Sequence, residues 1–172
     1  MKCSTFARVS VFVIIFLVIF NFGLLARTYH DPQAFFSFHV PRHWVFQVSE
    51  SDPQLSVFYG ANLEELVYVE HLGSVSDVDS ESFASRIMEE YGSIYGLKEF
   101  AVIEPIQRRE LDGFPGAVMI YEFKGTITRM EQRIFVVINT QGYTITYSDA
   151  SCSFWDNVVA FDLFLDSWRW LE

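Results

Sequence analysis

Basic residues are scarce in most of this 172-residue chain. Beyond Arg27 there are nine, against all 22 of the acidic ones, a net charge of −13 over that stretch. Such a balance opposes nucleic acid and anionic lipid surfaces, so no nucleic-acid partner is expected. Cysteine is scarcer still, with only Cys3 and Cys152. Two thiols so placed do not make a disulfide scaffold, and Cys152 reads as a lone, buried thiol. Catalytic signatures are missing as well: no nucleophile-elbow sequence, glycine-rich phosphate loop or His-Glu-x-x-His is present. Ser148, Ser151 and Ser153 surround Cys152, but loop and capping roles suit them. The sequence nominates no catalytic residue and no cofactor, and the expectation is a non-enzymatic protein.

What the chain does have is one long apolar run, Val9 to Ala26, without a charge between Arg8 and Arg27. Eighteen helical residues span roughly 27 Å, close to a ~30 Å hydrocarbon core, and the flanking arginines reach the interfaces. Leu24-Leu25-Ala26 is a poor cleavage site, because leucine replaces the small residue two places before alanine. A retained anchor is therefore expected over 9–26, with residues 1–8 as a cytoplasmic tail. Lys2 and Arg8 keep that tail inside, so the remainder lies outside the cytoplasm, on a single-pass cell membrane protein. Cys3 and Cys152 are then on opposite sides and do not pair.

Beyond the anchor, 27–34 reads as a linker and 35–172 as one domain, large enough for a real core. Phe35 to Val40 is rich in strand formers and stops at Pro41, which suits a strand near a sheet edge. Trp44, Phe46 and Val48 alternate with Val45 and Gln47. Leu55–Tyr59 and Leu66–His71 are further strands, joined near Gly60-Ala61-Asn62. A helix follows, capped by Asp79 or Ser80, carrying Phe83, Ile87, Tyr91 and Ile94, and stopped at Gly96. Asp77, Asp79 and Glu81 resemble part of a calcium loop but lack its glycine and distal glutamate; capping explains them better.

Four more strands follow: Phe100–Leu111 interrupted by Pro105, Ala117–Lys124, Arg129–Asn139 and Tyr143–Ser148. Asp112-Gly113, Gly125 and Gln141-Gly142 make the joins, too short for anything but antiparallel neighbours. Tyr143, Ile145 and Tyr147 face one side of their strand and Thr144 and Thr146 the other, so one face is expected to be drier. Glu131 and Arg133 share a strand face and are placed to pair with Glu122 or Lys124 across the sheet. A last helix from Phe154 to Leu171, with Ser153 and Asp156 in capping-box spacing, is apolar over most of its circumference.

The order of elements, together with Phe36-Ser37-Phe38-His39-Val40-Pro41-Arg42-His43-Trp44, Asp112-Gly113-Phe114-Pro115-Gly116-Ala117, Tyr143-Thr144-Ile145-Thr146-Tyr147 and Ser167-Trp168-Arg169, resembles the PsbP-like superfamily. That group includes the photosystem II extrinsic P subunit and DcrB-type bacterial envelope proteins. One departure is His43, where the family often has glycine before the tryptophan. The resemblance implies an α+β fold, an α/β/α sandwich around a twisted antiparallel sheet, here preceded by one transmembrane helix.

Three readings of function follow. The leading one is a membrane-anchored accessory or assembly subunit that docks on a larger membrane protein complex, with the lipid bilayer engaged through Val9–Ala26. Phe161, Leu165, Trp168 and Trp170 are its candidate contacts, the apolar surplus of the last helix being covered either within the domain or by a partner. A second is a small-ligand-binding protein with an aromatic pocket lined by Trp44, Tyr121, Tyr143 and Tyr147. A metal site would have to draw on His39, His43 and His71, whose spacing does not signal one.

Overall fold

A computed structural model of the chain describes residues 27–60, 64–77 and 79–171. The run Val9–Ala26 lies outside the described residues, and among those no helix is long and apolar enough to cross a membrane. The described chain is an α+β fold, mostly antiparallel sheet with a few helices.

Seven strands make the main sheet, in the order β3-β4-β5-β9-β8-β7-β6. They are β3 Val45–Phe46, β4 Leu55–Tyr59, β5 Leu66–Ser74, β6 Ala101–Leu111, β7 Phe114–Lys124, β8 Thr128–Ile138 and β9 Gln141–Ala150. Every pairing is antiparallel. Pro105 sits on β6 at the sheet's edge, where a missing N–H is tolerated, and the register slips between Val102 and Glu104 and again across Pro105. Asp112 and Gly113 both take positive φ, as the two-residue β6–β7 turn requires. The β8–β9 turn differs from the expected one. Asn139 and Thr140 take the left-handed conformations, and Gln141-Gly142 already pair as strand.

Three shorter strands form a second sheet in the order β1-β2-β10, with β1 Arg27–His30, β2 Phe36–Val40 and β10 Arg169–Trp170. The expected linker is thus corrected over its first half. Arg27–His30 pairs with Ser37–Val40 because β2 offers both of its edges, and it lies in the middle of its sheet instead of near an edge.

Helix α1, Ser80–Gly92, covers one face of the main sheet. Asp79 caps it by accepting from the Ser82 N–H, and Phe83, Ala84 and Met88 pack on Ala117, Met119, Tyr121 and Phe135. Gly142 makes room: a Cβ there would stand 2.6 Å from Val75 and 3.2 Å from Phe83. The helix ends before Gly96, which tucks against the carbonyls of Glu90 and Tyr91. Asp77 pairs with Arg86 and Glu81 with Arg108, so all three acidic residues of the calcium-like spacing serve the helix start or a salt bridge.

The opposite face carries the small sheet and two short helices, α2 Phe154–Asn157 and α3 Val159–Asp166. The single long helix expected to Leu171 is corrected here. Past Ser167 the chain extends, sends Trp168 into the core and pairs Trp170 with Phe36. Ser153 does not cap with its side chain; its hydroxyl donates to the Ala150 carbonyl. Both sheet faces are therefore covered. Thr144 and Thr146 are as buried as Tyr143, Ile145 and Tyr147, and the expectation of one wetter face does not hold.

Candidate functional site

Three of the four docking candidates are not surface residues. Phe161, Leu165 and Trp168 are buried, and Trp170 is half-buried with its indole N–H donating to the Leu111 carbonyl. The Trp168 ring stacks on Phe36 at 4.7 Å and on Phe38 at 5.3 Å. Phe161, Leu165 and Trp168 are corrected from contact residues to core. The same segment does present apolar side chains outward. Trp155, Val159 and Leu163 are 51%, 60% and 67% exposed, one helical turn apart. Val158, between the two helices, keeps a right-handed helical backbone, so the three share one outer stripe. Asp156 and Asp166 are exposed on the same segment. The i, i+4, i+8 spacing was readable in the sequence, but which of two apolar stripes faced inward was not.

The ligand-pocket candidates do not converge either. Trp44 and Tyr147 stack at 6.4 Å within the core beneath α3, and the Trp44 indole donates to Glu65 at 2.9 Å. Tyr143 stacks on His71 at 4.7 Å, and Tyr121 lies across the sheet in the α1 core. The three histidines are held separately: His39 is exposed, His43 is 3.5 Å from Glu65, and His71 bonds Gln141. Among the described residues no group of three or more metal-ligating side chains gathers. Cys152, expected to be buried, is exposed in the turn before α2.

One concave feature among the described residues is an open groove of about 590 Å³ between the small sheet and β3. Its floor includes Tyr29, Trp44, Phe46 and Phe58, and Arg27 and Arg42 stand exposed at its rim. Of the expected pocket residues it contains Trp44 alone.

Under the α1 face lies a buried polar network that the strand pattern only half announced. Glu131 and Arg133 share a face as expected, but Glu122 and Lys124 are not their partners. Register places Tyr121 opposite Glu131 and Met119 opposite Arg133, which turns Glu122 to the other side. The Tyr121 hydroxyl donates to Glu131. Arg133 donates to the hydroxyls of Tyr68 and Tyr91, with its guanidinium carbon 5.3 Å from each ring. Glu70 stands 3.8 Å from Arg133 and accepts from Thr144 at 2.6 Å. Burial opposes the Arg133 charge, yet the surrounding phenol and carboxylate oxygens outweigh it and hold its pKa well above the ordinary value.

Burial likewise pushes the Tyr68 and Tyr121 hydroxyls far up, even though Arg133 pulls the other way. Burial, with Glu65 and Asp149 nearby, does the same to Tyr147. Below pH 10 these phenols keep their protons whether or not the chain is folded. Above it the unfolded chain loses protons that the fold retains, so stability falls by about 1.4 kcal/mol per pH unit for each one withheld. Phenolate absorbance should then show at least two of the eight tyrosines ionising only as the fold is lost. Complete titration near pH 10 with an intact fold contradicts this.

No family model matches the chain, and no curated protein matches it. Solved structures do. Cyanobacterial PsbP (CyanoP) from Synechocystis sp. PCC 6803 superimposes with a TM-score of 0.62 at 18% identity, covering 84% of this chain and 91% of that one. LpqN, involved in cell envelope biogenesis of Mycobacterium tuberculosis, gives 0.53 at 13% identity over 86% of this chain and 91% of its own. PA94 of Pseudomonas aeruginosa gives 0.52 at 12% identity over 80% and 91%. Identities this low speak to fold alone. Over 80–86% of the chain, the fold is the one seen in CyanoP, LpqN and PA94, a PsbP-like fold.

Proposed function

We propose that the chain is an extracytoplasmic accessory subunit, tethered by Val9–Ala26, whose folded domain docks on a larger membrane protein complex. The observation that carries this reading is the stripe of Trp155, Val159 and Leu163, apolar, aligned and exposed on a domain whose other large aromatics mostly face inward. Scattered apolar residues need no explanation, but three in register on one helical face form a patch. The exposed carboxylates of Asp156 and Asp166 flank it, so the fitting partner surface is an apolar trough with a basic rim. Tethering supports the reading too, since a neighbour in the same membrane meets the stripe at high effective concentration. LpqN, a protein of cell envelope biogenesis that shares the fold, is consistent with it.

The test is a photocrosslinker at Leu163 in the full chain in its native membrane. Crosslinks to one integral membrane protein are expected, and V159D/L163D should abolish its co-purification while leaving thermal unfolding unchanged, as surface substitutions usually do. Co-purification that survives the double variant removes this face.

A further inference from the structure

We propose that the groove between β1–β2 and β3 holds a phospholipid of the supporting bilayer, its phosphate on Arg27 and Arg42 and its acyl chain on Trp44 and Phe46. The inference rests on the reading of Val9–Ala26 as the anchor, and adds a site to it. Arg27, the residue directly after the apolar run, already lies in β1 and pairs with Val40. Consecutive Cα atoms are about 3.8 Å apart, so a span ending at Ala26 leaves the domain no slack. The edge that carries Arg27 is then held at the headgroup layer. The same register brings Arg42 to that end, two residues past Val40, so the groove mouth is the part of the domain nearest the membrane.

The chemistry of the groove suits an amphipath. In a chain with 22 acidic residues, no carboxylate among the described residues lines it, whereas two arginines do. Guanidinium groups recognise phosphate by paired hydrogen bonds and stay charged at any relevant pH. Val45 and Val48 at the lip are 60% and 77% exposed, an orientation that costs nothing if acyl carbon covers them. About 590 Å³ falls within the usual range for a small-molecule site. The net negative charge of the domain does not prevent this, because screening over about 8 Å leaves the two local arginines in command at contact distance.

The test takes the full chain in mild detergent, adds phosphatidylglycerol and counts bound lipid by native mass spectrometry. One retained lipid per chain is expected. R27Q/R42Q should weaken retention roughly thirty-fold, from about fivefold for each arginine near a lipid phosphate. V45D/V48D should also weaken it, and circular dichroism should show both variants folded. Equal retention by R27Q/R42Q overturns the groove, as does saturation by inorganic phosphate alone or a crosslink from Val48 to protein instead of lipid. Alkaline carbonate extraction of native membranes separates the two claims. A chain that is released refutes the anchor and the groove with it, whereas a chain that stays but ignores R27Q/R42Q refutes the groove only.

Discussion

Arg133→Met is expected to cost about 3–5 kcal/mol of folding stability, the usual penalty for removing one partner from a buried charge network. The reason is what remains. Glu131 is 5% exposed and bonded to Tyr121, and Tyr68 and Tyr91 each lose the donor their hydroxyl oxygens now have. An uncompensated carboxylate would then sit buried under α1, and two part-buried phenols would lose their charged donor. The aliphatic stem of methionine fills most of the space, so the loss is electrostatic more than a matter of cavity. Adding Glu131→Gln removes the stranded charge while leaving an acceptor for Tyr121. The double variant should recover at least about 1.5 kcal/mol, read as coupling in a denaturant-melt cycle. A single-variant loss below about 1 kcal/mol, or no coupling, would mean that the network contributes no net stabilisation.

That network also shows where sequence reading stops. The alternation in β8 put Glu131 and Arg133 on one face, and the antiparallel order was legible from short joins at Asp112-Gly113 and Gly125. Register was not legible. The β8–β9 turn falls on Asn139-Thr140, and only three-dimensional pairing tells that Tyr121, and not Glu122, faces Glu131. Tyr68 comes from β5 and Tyr91 from α1, 65 and 42 residues distant from Arg133, with no local pattern to join them. Helix α1 was legible because its cap and its periodicity agree. The C-terminal segment was not, since almost every position is apolar and helix and strand periods fit equally well. The groove is illegible in the sequence for a different reason. It depends on β1, and four residues after an apolar run carry too little pattern to be read as a strand.

Trp168→Ala and Trp155→Ala should separate the two stripes of the C-terminal segment by their opposite effects. Trp168 is fully buried, stacked on Phe36 and Phe38 and in edge contact with Phe164 and Trp170. Truncating it removes the ring on which α3, β2 and β10 meet, and a loss of about 3–5 kcal/mol is expected. Trp168→Phe should be far milder, under about 1.5 kcal/mol, because the indole N–H has no hydrogen-bond partner among the described residues and the phenyl ring keeps the stacking. Trp155 touches Phe154 edge-on but is half in solvent, so Trp155→Ala should change stability by no more than about 0.5 kcal/mol. At a docking face the same truncation removes an aromatic anchor, which can cost about 2 kcal/mol or more of binding, roughly thirty-fold in affinity. Stability by denaturant melt and partner retention in gently solubilised membranes therefore move separately. Trp168→Ala lowers the first, and Trp155→Ala lowers only the second. If Trp155→Ala lowers neither, the outer stripe is ordinary surface.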